Sequence, residues 1–259
     1  VTFVAVISAE RPHQVPKMEA ALSGLNPIWY VPLEQVITYQ NAGAKYVTGV
    51  EGTMPMKSKQ LNAALDEGFS LNQTVVTLDD DYNKVSKTVM VGDKIVSEAC
   101  SLRSCISELE KSLQDSPFHL AGVGPSLNAF FSGVGFKYKG KVNGQLSAQT
   151  PSVVRYDENL KSQVDFEYCM AHHAEFGGVV IHKSFLVDFH LYGRSASKDK
   201  NYGGGLANHR TSATNLQAAQ VMSERYGIYV EPEEVGGSRK TRIQYKNIKW
   251  VGEPSWTIK

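Results

Sequence analysis

The chain of 259 residues has only three cysteines, Cys100, Cys105 and Cys169, with neither the spacing of a zinc site nor the density of a disulfide framework. That scarcity and the lack of a signal segment lead to the expectation of a reducing cytoplasm, the host's if the chain is viral. No apolar run approaches the roughly 20 residues that span a bilayer, so no membrane partner is expected. Charge imbalance is lacking too. Lys and Arg number 27 against 26 Asp and Glu, a net charge of +1, so bulk electrostatics select no partner and any basic surface must be local. Internal repeats and long low-complexity linkers are absent, which excludes a solenoid. With 42% hydrophobic and 20% charged residues, the composition is that of an ordinary globular chain. The length suits a single α/β core with an appendage better than two full domains.

What is present centres on Thr74 to Asp81, TVVTLDDD. Val75, Val76 and Leu78 predict a short buried strand that runs straight into three carboxylates. Like charges so close raise one another's pKa and need solvent, a cation or positive partners to neutralise them. If the extended geometry continues, Asp79 and Asp81 share one side and Asp80 takes the other. That arrangement suits a hard divalent cation bridging to a phosphorylated substrate. An acidic turn capping the next helix is the alternative reading.

Before this stretch, Thr2 to Ile7 reads as a buried strand ending at Ser8, Glu10 and Arg11, with Pro12 forcing a turn. These polar residues stand at the strand's carboxyl end, where open α/β sheets bind ligands. Helices follow at Val15 to Leu22, Gln35 to Asn41 and Lys57 to Glu67, the last closed by Gly68, and strands at Ile28 to Val31 and Tyr46 to Val50. The alternation predicts a mostly parallel central sheet flanked by helices. Later the chain predicts a hairpin across Gly92-Asp93, a helix over Leu102 to Leu113, loops and short strands over the glycine-rich Leu120 to Gly144, a helix over Gln163 to Glu175 and one strand over Gly178 to Phe189. A loop from Arg194 to Gly205, a helix over Ser212 to Tyr226 and an alternating edge strand over Arg242 to Trp250 complete the reading. The expected division is a core over 1–210 and a C-terminal helix with a basic edge strand over 211–259.

Four segments together, the strand ending at Ser8 to Arg11, KSKQLNAAL, VVTLDDD and VDFEYCMAHHAEFGGVVIH, resemble the GT-A fold of nucleotide-sugar glycosyltransferases. The resemblance implies that Asp79 and Asp81 hold Mn²⁺ or Mg²⁺ against a sugar nucleotide diphosphate, with His190 or Asp188 as a later ligand. It implies that Asp165 or Glu167 serves as the acceptor-side base, although the intervening Phe166 departs from the adjacent acids common in the family. Ser8, Glu10, Arg11, Lys59, Asp79 and Asp80 fall among the donor-binding positions, and Lys57 is a further candidate. UDP-glucose is the first donor to expect.

Tyr202 to Arg210, YGGGLANHR, resembles more narrowly the viral and base-J-type enzymes that glycosylate hydroxymethylated pyrimidines in DNA. Gly204 would let backbone approach the donor, and Arg210 would pair with its phosphates. From Gly237 to Trp250 five basic residues, Arg239, Lys240, Arg242, Lys246 and Lys249, interleave with Tyr245 and Trp250 and meet no acid. Such a strip can follow a DNA backbone, and an edge strand guarded by lysines has the same pattern. The sequence therefore points to a metal-dependent glycosyltransferase. A nucleotidyltransferase and a non-catalytic DNA-binding or structural protein of phage type are the alternatives.

Overall fold

The computed structural model describes residues 2–124, 128–189, 212–226, 232–235 and 238–241. Its first third builds the parallel part of the sheet. β1 (Phe3–Ile7), β2 (Ile28–Pro32), β3 (Tyr46–Val50) and β4 (Val75–Asp79) alternate with α1 (Val15–Ala21), α2 (Val36–Asn41) and α3 (Lys57–Ser70). β1 is buried along its whole length, as a run of apolar residues covered on both faces must be. It pairs in parallel with β2 on one side and β4 on the other.

In α3, Leu61, Ala64 and Leu65 form the buried stripe that their spacing predicts. Gly68 does not end this helix, which continues to Ser70. A side chain at Gly68 would collide with Val75 and Phe3, so its small size lets the helix lie close on β1 and β4.

The remaining elements are β5 (Tyr82–Val91), β6 (Lys94–Ala99), α4 (Leu102–Gln114), β7 (Leu120–Val123), α5 (Ala129–Ser132), β8 (Phe136–Lys137), β9 (Leu146–Gln149), α6 (Val164–Phe176), β10 (Val180–His182), β11 (Phe185–Phe189), α7 (Ser212–Tyr226), β12 (Pro232–Val235) and β13 (Ser238–Thr241). The central sheet runs β3-β2-β1-β4-β9-β7-β10-β8, beside a three-stranded sheet β11-β5-β6 and a β12-β13 pair. The fold is thus α/β, with a mixed, largely parallel sheet between helices. β9 is antiparallel to both neighbours, β4 and β7.

The single strand expected over Gly178 to Phe189 is two. β10 lies parallel to β7 in the main sheet, and after Lys183-Ser184 the chain enters β11, antiparallel to β5 in the small sheet. α4 is anchored by Ser101, whose side chain accepts the Ser104 N–H, and it buries Leu102, Cys105, Ile106, Leu109 and Leu113. Each fully buried leucine contributes roughly 2 kcal/mol of apolar burial. In the β12-β13 pair Glu233 stands opposite Lys240 and Glu234 opposite Arg239, so two positions of the basic strip have acids as register partners. The edge strand expected over Arg242 to Trp250 lies outside the described residues. No helix among the described residues is long and apolar enough to cross a membrane.

Candidate functional site

Register assembles the site. β1 and β4 run in parallel with Ile7 opposite Asp79, so both chains leave the sheet at the same carboxyl edge and Ser8 meets Asp80. α3 begins at that edge because β3 ends there, which brings Lys57 to Asp79. The extended geometry stops at Asp79, and Asp80 and Asp81 form a turn into β5. The three carboxylates therefore part differently from a continued strand. Asp79 faces Lys57, whose Nζ lies 2.6 and 2.7 Å from its two oxygens. Asp80 and Asp81 share Arg11, with Nη2 2.5 Å from Asp80 Oδ1 and Nη1 3.5 Å from Asp81 Oδ2. Ser8 Oγ donates to the other Asp80 oxygen.

Asp80 is fully buried, and burial pushes its carboxyl up to about 7 although Arg11 and Ser8 pull the other way. Desolvation outweighs the ion pair here. Burial, followed by the charge of Asp79, raises Asp81 to about 6 against the pull of Arg11 and Lys57. Asp81 Oδ1 is buried and has no hydrogen-bond partner. Buried acids with raised pKa at the carboxyl edge of an open α/β sheet make this turn the candidate site.

The Ser8 to Arg11 loop is held from several sides. Glu10 sits in the left-handed region with φ 62°, and its N–H donates to Gln35 Oε1 at 2.8 Å. Arg11 N–H donates to the Tyr39 hydroxyl at 3.0 Å, and Gln60 Nε2 donates to the carbonyls of Ser8 and Tyr30, each at 2.8 Å. Gln35, Tyr39 and Gln60 escape a reading by motif. Gln60 does carry a signal, being a polar residue four before Ala64 on the buried stripe of α3.

Lys59 is turned from the acids toward Gly52. Two residues on a helix are about 200° apart, so it cannot share the direction of Lys57.

The same rule separates Asp165 and Glu167 on α6. Asp165 pairs with Lys141 and lies against Gly144, whose neighbour Gln145 accepts the Asp79 N–H at 2.9 Å. Glu167 turns to α7, where Arg225 Nη1 at 3.0 Å and the Tyr226 hydroxyl at 2.6 Å donate to it. Arg225 Nη2 also reaches Asp157 at 2.6 Å. His172 is buried between Tyr168 and Phe176, and His173 bonds the Gly140 carbonyl at 2.8 Å.

Asp188 accepts from Asn83 Nδ2 at 2.8 Å. His190, Gly204 and Arg210 lie outside the described residues. Phe189, the residue before His190, pairs with Tyr82, the residue after Asp81. Among the described residues no three His, Cys, Asp or Glu converge as a metal site. Asp79 and Asp81 carry hard oxygens of the type Mn²⁺ or Mg²⁺ prefers; Lys57 holds both oxygens of Asp79, and Asp81 Oδ1 has no hydrogen-bond partner.

No protein-family model and no curated protein sequence matches the chain. Among solved structures it is similar to one described as mannose-1-phosphate geranyltransferase from Thermus thermophilus, at 11% identity and a TM-score of 0.33. That match covers 72% of this chain and 56% of the other, little more than half of its length.

Proposed function

We propose that the chain is a glycosyltransferase that moves a hexose from a nucleotide diphosphate sugar, UDP-glucose in the first instance, to an acceptor hydroxyl. The observation that carries this reading is the acid turn. Three carboxylates leave the central sheet at its ligand edge, flanked by Arg11 and Lys57, and one buried oxygen of Asp81 lacks a partner. Asp79 and Asp81 would hold Mn²⁺ or Mg²⁺, which when bound stabilises the charge that grows on the leaving diphosphate.

Arg11 and Lys57 supply fixed positive charge for the diphosphate oxygens, and Arg11 suits them better because its fork binds two at once. Asp165, one loop away from Asp79, is the base. It takes the proton of the acceptor hydroxyl as that oxygen forms its bond to the anomeric carbon, and the bond from that carbon to the phosphate oxygen breaks with its electron pair leaving on the nucleoside diphosphate. Asp165 pairs with Lys141, which would have to release it for the acceptor hydroxyl to approach.

The basic residues of the C-terminal strip make DNA carrying 5-hydroxymethylpyrimidine the first acceptor to try. The test uses donors labelled either in the sugar or in the nucleotide, with that DNA and free nucleosides as acceptors. Label from the sugar alone should reach the acceptor. Transfer of the nucleotide label would make the protein a nucleotidyltransferase, and transfer of neither from a panel of donors would remove the catalytic reading.

A further inference from the structure

Tyr39 lies on α2, beyond β2 from the acid turn, and is fully buried. A buried phenol keeps its hydroxyl only where partners are provided. Its partners here are Ser8 Oγ at 2.5 Å and the Arg11 N–H at 3.0 Å, and Ser8 in turn bonds Asp80. Donor counting orders the chain. With Asp80 ionised, it accepts from the Ser8 hydroxyl, Ser8 has only lone pairs left, and Tyr39 then gives its single proton to Ser8 while its own oxygen receives the Arg11 N–H. Every donor therefore points toward Asp80, the arrangement in which successive hydrogen bonds strengthen one another.

Two further features show what this chain restrains. Glu10 has φ 62°, a conformation that costs a residue bearing Cβ roughly 1–2 kcal/mol and persists only where the surroundings dictate it. Gln35, just before α2, and Tyr39, one turn later within it, take the N–H groups of Glu10 and Arg11 and so dictate it. The Arg11 guanidinium is held unequally, at 2.5 Å to Asp80 and at 3.5 Å to Asp81. The longer contact exceeds the roughly 2.7–2.9 Å of a good charged hydrogen bond, so it is the one that a phosphate oxygen would replace.

We infer that Tyr39 is a positioning residue: through Ser8, Asp80 and the Arg11 backbone it sets the direction of the Arg11 guanidinium, whose longer contact to Asp81 a phosphate of the ligand would replace. The inference rests on the reading of the acid turn as a diphosphate-donor site and adds a residue that touches neither donor nor cation.

The experiment titrates inorganic pyrophosphate into the full chain by calorimetry, for wild type, Tyr39→Phe, Arg11→Lys and the double variant, with melting temperatures alongside. Tyr39→Phe keeps charge and volume, so it should weaken pyrophosphate about three- to tenfold, the loss of one well-placed buried hydrogen bond. In the Arg11→Lys background the same change should have a clearly smaller effect, because the guanidinium fork it positions is gone although the backbone N–H of residue 11 remains. Ser8→Ala, which breaks the chain at its next link, should weaken binding in the same direction and serves if Tyr39→Phe does not fold. Wild-type affinity in Tyr39→Phe, an equal loss in both backgrounds, or no pyrophosphate binding by wild type would overturn the inference. Pyrophosphate binding of the expected pattern without sugar transfer from any donor would leave it standing and remove only the glycosyltransferase reading.

Discussion

Two buried acid clusters in this molecule are each held by an arginine, and they are built to different ends. Beneath α7, Asp157 and Glu167 come from separate elements, and Arg225 reaches both while Tyr226 adds a donor to Glu167. Burial works against both acids: hydrogen bonds from Asn159 and Arg225 bring the Asp157 carboxyl below the usual range, while Glu167 stays raised in spite of Tyr226 and Arg225. At the end of β4 the three acids are adjacent in sequence, so they cannot move apart, and Arg11 and Lys57 leave Asp80 and Asp81 raised to about 7 and about 6. The first cluster clamps α7 to α6. The second keeps charge crowded at the carboxyl edge of the central sheet, and under the proposed function a bound cation or phosphate would relieve it.

The contrast breaks most sharply under single substitutions. Asp81→Asn removes a crowded charge and keeps the shape, so sugar transfer should fall at least about a hundredfold. Its melting temperature should hold or rise. Transfer near the wild-type rate at limiting Mn²⁺ would move Asp81 to the structural side of the comparison.

Arg225→Ala should do the reverse. It leaves two acids without their cation, which costs about 2 kcal/mol in a urea titration, less than for a fully buried pair because the Arg225 side chain is 46% exposed. Transfer per folded molecule should be unchanged, and a matching loss of activity without unfolding would merge the two clusters.

Acidity sharpens the comparison further. A carboxyl whose folded pKa is raised binds its proton more tightly in the folded state, so it favours folding below its unfolded value of about 4 and loses that contribution as pH rises through the folded value. For Asp80 and Asp81 the window runs from about 4 up to about 7 and about 6. The urea midpoint should therefore fall across this range, and Asp81→Asn should flatten the part below pH 6. Identical pH slopes in parent and variant would show that Asp81 is not strained by its neighbours. The smallest effect belongs to Tyr226→Phe, which removes one donor from Glu167 and should cost about 1 kcal/mol in the same titration.

The parallel half of the fold was legible in the sequence because its strands are continuous apolar runs and its helices carry one stripe. Tyr46–Val50 and Ser212–Tyr226 have the bounds the sequence predicts. β9 was not legible. Its alternation lasts only four residues, and Ser147 and Gln149, which alternation would send to solvent, are buried with Ser147 Oγ and Gln149 Nε2 bonded to each other and Ser147 to Thr77 across the strands. The break between β10 and β11 was hidden for the opposite reason, since an apolar run on both sides of Lys183-Ser184 conceals a change of sheet.

At the candidate site the acids announce themselves. Arg11 and Lys57 were named as candidates for the donor, but their pairing with the acids was not legible, because they meet them only through the register of β1 on β4 and the start of α3. The sequence also left Asp165 and Glu167 as equals, whereas helix geometry sends them to opposite sides, one toward Gly144 and one into the clamp with α7.

The most direct test of the central claim, that the acid turn binds a nucleoside diphosphate together with a divalent cation, is calorimetric titration of UDP into wild type and Asp81→Asn with and without Mn²⁺. Wild type should bind UDP at least about tenfold more tightly when Mn²⁺ is present, and the variant should show no such gain. An equal gain in both proteins, or no gain in wild type, would contradict it.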